Sequence, residues 1–171
     1  MFRNLDDFQA CWKAERAKTL EIFSAIPDGA LQTSITPEHR DLRRLAWHLV
    51  ESLIEMPGHC GLKIAGGQWF QGDFIGAPPA TMKEILAAYS AAAASLEEAL
   101  TAWKDGDLET EDELYGERWQ RGFTLFVLVM HQTHHRGQMT VLMRQAGLKV
   151  PGIYGPAKEG WAAYGMEAPK V

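Results

Sequence analysis

The chain reads as all-α: an antiparallel four-helix bundle with a long second connection, a short hairpin before the fourth helix and a docked C-terminal tail. Three observations predict this. Four segments carry apolar residues at helical spacing. Period-two strand patterns are few. Clusters of Pro and Gly separate the four segments. Amphipathic helices of this number bury their stripes by packing on one another. At 171 residues, 46% of them hydrophobic, the chain suits one domain, 1–171, with a sizeable core.

The first helix is predicted from Asn4 to Ala25. Asn4 stands as N-cap with Asp7 at N3, and Leu5, Phe8, Trp12, Leu20 and Phe23 supply apolar surface. Pro27-Asp28-Gly29 ends it. The second is predicted to begin at Thr36-Pro37-Glu38, with Thr36 as N-cap and Pro37 at N1. Its stripe is Leu42, Leu45, Ala46, Leu49, Leu53 and Met56, and Pro57-Gly58 weakens or ends it. The connection from Ala65 to Pro79 is rich in Gly, but Trp69, Phe70 and Phe74 make it a packed loop.

Thr81-x-x-Glu84 is a capping-box pattern and starts the third helix. Met82, Ile85, Leu86, Tyr89, Ala93, Leu96, Leu100 and Trp103 form its stripe, and the run Ala91 to Ala94 permits close helix approach. Tyr115-Gly116, inside Glu109 to Gln120, suggests the turn of a hairpin. The fourth helix is predicted from Gly122 to Gln145, ending at Gly147 as C′. Phe123 to Met130 is apolar on every side, so this helix is expected to be the most buried. Tyr154, Trp161 and Tyr164 argue that the Pro- and Gly-rich tail docks on the bundle.

Charge is ordinary, with 17 basic and 22 acidic residues and a net charge of −5. No basic stripe is present, which argues against a nucleic-acid partner. Arg40, Arg43 and Arg44 alternate with acidic and apolar residues and read as a solvated helix face. Cys11 and Cys60 lack C-x-x-C spacing and read as reduced thiols of a cytoplasmic protein. The N-terminal residues form no secretory h-region. The longest apolar run, Phe123 to Met130, is too short to span a membrane.

The most informative residues are His131 and His135. Four helical residues advance about 400°, so both imidazoles share one face. Thr124, Val127, Leu128, Gln138 and Leu142 lie within about 60° of His131. Polar groups therefore interrupt an apolar stripe, and each needs a partner, because an unpaired buried polar group costs about 1–3 kcal/mol. A metal supplies such partners; so do hydrogen bonds or water. H-x-x-x-H alone is a weak signal. Zinc peptidases use H-E-x-x-H, and Gln132 here replaces that glutamate, which argues against a peptidase. His134 competes with His135, and spacing does not choose between them. His39 is expected at the surface and His59 in a loop. His48 lies about 120° from the centre of its helix's stripe and reads, on spacing, as a boundary histidine.

Leu45-Ala46-Trp47-His48-Leu49-Val50-Glu51, followed by His131-x-x-x-His135-Arg136-Gly137-Gln138 and by Val150-Pro151-Gly152-Ile153-Tyr154-Gly155-Pro156, resembles the DinB/YfiT-like family. The resemblance covers essentially the whole chain. It implies a four-helix bundle in which three histidines bind a divalent metal; matched position by position, these are His48, His131 and His135, with His134 outside the match. It further implies a homodimer and a metal-dependent activity of the thiol S-transferase or hydrolase type, with a low-molecular-weight thiol as one class of substrate. It implies no DNA binding.

Three neutral imidazoles leave open positions on a divalent ion, an arrangement typical of catalytic sites. Zn²⁺ and Ni²⁺ both suit the ligand set. Gln138 either orients a ligand or a bound water, or is a plain polar residue facing the cleft. Glu51 is expected to be exposed, with a hydrogen bond to His48 the alternative. Arg136 is expected at the surface, with an anionic substrate group the alternative. No general base stands at an obvious motif position, so a non-catalytic metal-binding or dimerisation module is the rival reading. Trp69, Phe70 and Trp161 are the aromatics expected at a dimer surface.

Overall fold

The computed structural model describes residues 2–67, 70–71 and 74–170, with backbone only at 70–71 and 74–75. It is mostly helical. The long helices are α1 (Leu5–Ser24), α2 (Leu42–His59), α3 (Met82–Ala99) and α4 (Arg121–Gln145). Two small antiparallel pairs accompany them: β1 (Phe70–Gln71) with β2 (Phe74–Ile75), and β3 (Glu111–Leu114) with β4 (Glu117–Gln120). Both α1 and α2 pack against α3 and α4. One core results, built on Phe8, Trp12 and Phe23 from α1, Leu49 and Leu53 from α2, Ile85 and Leu96 from α3, and Leu128 and Met139 from α4. Among the described residues no helix is long and apolar enough to cross a membrane.

Several helix ends and one turn follow from local chemistry. Asn4 Oδ1 accepts from the Asp7 amide at 2.8 Å, capping α1. Thr81 and Glu84 form the reciprocal capping box that starts α3, and Ala92 and Ala93 are fully buried where α3 meets its neighbours. Tyr115 (φ 52°) and Gly116 (φ 80°) are both left-handed, as a two-residue hairpin turn with the twist of its strands requires. At the end of α4, Gly147 has φ 72°; its amide bonds Arg144 O at 3.0 Å, and the Leu148 amide bonds Met143 O at 2.9 Å, a full Schellman closure.

Three expectations are corrected. First, α2 begins at Leu42, not at Pro37, and Thr36 to His39 is a turn. Two cappers explain the later start. Asp41 accepts from the Arg44 amide at 2.7 Å, and the otherwise unpaired amides of Leu42 and Arg43 donate to Thr33 O and Leu31 O. Pro57 does not end the helix, which continues to His59; that histidine is exposed on the last helical position rather than in a loop. Second, α4 is not buried all round: Phe123 is 37% and Met130 52% exposed. The helix packs mainly on α1 and α2, and Phe123, Met130 and Val141 face solvent. Third, the tail docks through only part of its aromatic content: Tyr164 is exposed, while Val150 and Ile153 rest on the core and Tyr154, under Lys18, bonds Glu15 and Arg136 through its hydroxyl.

Cys11 and Cys60 are free thiols. Of the aromatics read as surface candidates, Trp161 is half-buried. Trp69 and the Phe70 side chain lie outside the described residues.

Candidate metal centre

His131 and His135 point the same way from one face of α4, and their Nε2 atoms are 3.1 Å apart. His48, from α2, completes a triangle: its ring centroid lies 4.9 Å from that of His131 and 4.7 Å from that of His135. One potential ligand atom from each of the three falls within 4.8 Å of the others. Imidazole nitrogens about 2.0–2.1 Å from one ion stand about 3 Å from each other, so this cluster can hold a metal ion. His134 is exposed and outside the cluster, although its ring packs on His135. His39 is exposed, with Nδ1 2.7 Å from the Thr36 hydroxyl.

The neighbours of two rings set their tautomers. Glu51 Oε2 lies 3.1 Å from His48 Nδ1. A carboxylate only accepts, so Nδ1 carries the proton and Nε2 the lone pair. Gln138 Oε1 lies 2.7 Å from His135 Nδ1, while its Nε2 donates to His134 Nε2 at 3.1 Å. The His135 proton is thereby held on Nδ1 as well. His131 Nδ1 is buried and makes no hydrogen bond among the described residues. Two of the three rings thus carry the outer hydrogen bond that orients metal-ligating histidines.

Burial, followed by the fields of His135, His48, His134 and Arg40, pushes His131 down to about 4. Burial also pushes His135 down to about 4, with His48, His134 and Arg40 adding to it; the Gln138 hydrogen bond acts in the opposite sense. Both imidazoles are therefore neutral at pH 7. The ordinary value is 6.5, so between pH 6.5 and about 4 the unfolded chain binds protons that the folded chain does not. Stability then rises with pH across that window and is lost as pH falls through it. Chelator-treated protein is expected to show a urea midpoint that drops between those pH values, and His131→Gln is expected to make the drop shallower. An unchanged slope in the variant would contradict the depressed value.

Four residues in and around the site differ from expectation. Glu51 is buried (6% exposed), not exposed: besides His48 it holds Arg44, whose Nη2 lies 2.8 Å from Oε1. Arg44 therefore does not sit on a solvated helix face, and Arg40 precedes the helix altogether. Arg136 is 2% exposed and serves neither as a surface residue nor as an anion receptor. It lies about 140° around the helix from His131 and turns toward α1, where it bonds Glu15 Oε2, Glu15 O, Thr19 Oγ1, Thr133 Oγ1 and the Tyr154 hydroxyl. Burial works to raise the Glu15 carboxyl, but hydrogen bonds from Lys18, Tyr154 and Arg136 outweigh it and hold it below its ordinary value.

Gln132, noted in the sequence only as the residue replacing a peptidase glutamate, is fully buried. It accepts from the Tyr89 hydroxyl at 3.1 Å and donates to Leu49 O and Ser52 Oγ at 3.0 and 2.9 Å, tying α4 to α2 and α3. These bonds join α4 to the part of α2 that carries His48.

The chain is 40% identical over 173 residues to the uncharacterized protein YrdA of Bacillus subtilis (strain 168), with the whole of both sequences covered. It also matches the crystal structure of a DinB-like protein from Bacillus cereus ATCC 10987, at a TM-score of 0.82 and 37% identity, covering 90% of this chain and all of that one. The DinB family model matches residues 1–170. With the fold, the three-histidine cluster and these similarities together, the chain belongs to the DinB family.

Proposed function

We propose that His48, His131 and His135 hold one divalent ion, zinc or nickel, and that the protein is a metal-dependent enzyme of the thiol S-transferase or hydrolase type. One observation carries the reading: three imidazoles converge from two helices, and two of them have Nδ1 engaged by Glu51 and Gln138, leaving Nε2 for a ligand bond. In this reading the four long helices form an antiparallel bundle that holds α2 and α4 at the ligand-bearing seam.

Three protein ligands leave room for a water or a substrate atom, which distinguishes a catalytic from a closed structural site. A bound metal supplies Lewis acidity, lowering the pKa of a water to about 7 or favouring a thiolate at neutral pH. The chain's own contribution is to hold the rings. Glu51 and Gln138 each fix a tautomer, and the low proton affinity of His131 and His135 keeps their lone pairs available at pH 7.

The test is a panel of glutathione, bacillithiol and mycothiol, each with an electrophile, alongside simple esters, on metal-loaded and chelated protein. Turnover that disappears on chelation and returns with metal is expected with at least one substrate pair. A loaded protein that turns over none of them would contradict the enzyme reading in favour of a non-catalytic metal-binding module.

A further inference from the structure

Beside His135 the surface opens into a cavity of about 460 Å³, within the size range of small-molecule sites. Leu45 from α2 and Val141 and Leu142 from α4 give it an apolar wall. Its other wall is the stretch before α2, from which Ile35, Glu38, His39 and Arg40 line the cavity. Because α2 starts only at Leu42, these residues precede the helix and line the cavity as non-helical chain.

Arg40 is the arginine that lines this cavity; Arg44 and Arg136 lie outside its lining and are held in ion pairs with Glu51 and Glu15 respectively. Arg40 is exposed and has no ion-pair partner among the described residues, yet its charge reaches both His131 and His135. Glu38 shares the cavity, and its carboxylate accepts from the Thr36 hydroxyl at 2.6 Å. That hydrogen bond holds its carboxyl below the ordinary value, so Glu38 is ionised at pH 7. One available cation with one fixed anion on the same wall disfavours a doubly charged anion more than a singly charged one.

We infer that this cavity is the substrate subsite of the triad, that it takes a small apolar molecule bearing a single carboxylate, and that Arg40 is the specificity-determining residue that reads the carboxylate. The inference rests on the triad being the reacting centre, but the subsite can be measured without a metal. Guanidinium and carboxylate make charge-assisted, frequently bidentate hydrogen bonds, while the apolar wall covers the chain of the ligand.

The experiment is calorimetric titration of octanoate, octanamide and octyl phosphate into chelator-treated and zinc-loaded protein, wild type and Arg40→Gln. Octanoate is expected to bind the chelated wild type more tightly than octanamide or octyl phosphate. Arg40→Gln is expected to weaken octanoate about tenfold while octanamide changes by less than about twofold. Equal weakening of both would show that Arg40 merely packs there, and would overturn the inference. So would tighter binding of octyl phosphate, no octanoate binding at millimolar concentration, or octanoate binding that needs zinc and ignores the substitution. Failure of the metal reading shows separately, as a wild type that takes up no zinc while the chelated titrations remain interpretable.

Discussion

Glu15→Ala is expected to destabilise the protein by roughly 3–5 kcal/mol, the usual cost of removing one partner from a buried ion pair. The Arg136 side chain is 2% exposed and that of Glu15 8%, so the guanidinium would lose its carboxylate in a largely desolvated place. Arg136 would keep its bonds to Glu15 O, Thr19 Oγ1 and Thr133 Oγ1, but these neutral acceptors do not balance its charge. The Tyr154 hydroxyl would lose Glu15 as well, so the tail should loosen together with α1. Glu15→Leu combined with Arg136→Met is expected to recover most of the loss, since a matched apolar pair leaves no charge stranded. Urea denaturation at pH 7 reads both variants. A cost below about 1 kcal/mol for Glu15→Ala would mean that the pair is solvated and contributes as a surface bridge does.

Glu51→Ala is expected to weaken metal binding by about 10- to 100-fold, the range found when the outer partner of a ligating histidine is removed. Glu51 is the acceptor that keeps the His48 proton on Nδ1, and it also anchors Arg44 beside the site. Glu51→Gln keeps a carbonyl acceptor at that place and should lose less than Glu51→Ala. Competition against a chromophoric chelator measures the series. Equal affinity in wild type and Glu51→Ala would show that His48 is oriented by other contacts or is not a ligand.

Much of the helical framework was legible because its signals are local. The Asn4 cap, the Thr81 capping box, the Tyr115-Gly116 turn and the Gly147 closure each depend on a few neighbouring residues, and each appears where the sequence places it. The start of α2 was not legible, because the residues that cap it are remote in the sense that matters: Leu31 and Thr33 offer carbonyls only once the preceding turn folds back. A valid start signal at Thr36-Pro37 lost to a better-satisfied one at Asp41.

The site shows the same division. His131 and His135 share a face by helical geometry alone. His48 does not declare itself by periodicity, because a stripe marks the centre of a buried face and α2 has two neighbours, α3 and α4, with His48 at the α4 flank. Its partner Glu51 was misjudged for the same reason. Glu15 and Arg136 were missed as a pair because they are far apart in sequence, although a signal existed. The buried positions of α1 run Leu5, Phe8, Trp12, Glu15, Thr19, Ile22, a nearly regular core spacing in which two polar residues occupy apolar places and so call for a buried partner.

Whether His48, His131 and His135 together bind a metal is read by elemental analysis. Protein purified without chelators should carry about one zinc or nickel ion per chain, and the folded triple variant His48→Ala, His131→Ala, His135→Ala should carry almost none. A wild type with a metal content near zero, or a triple variant that retains the full complement, would contradict metal binding by the three histidines.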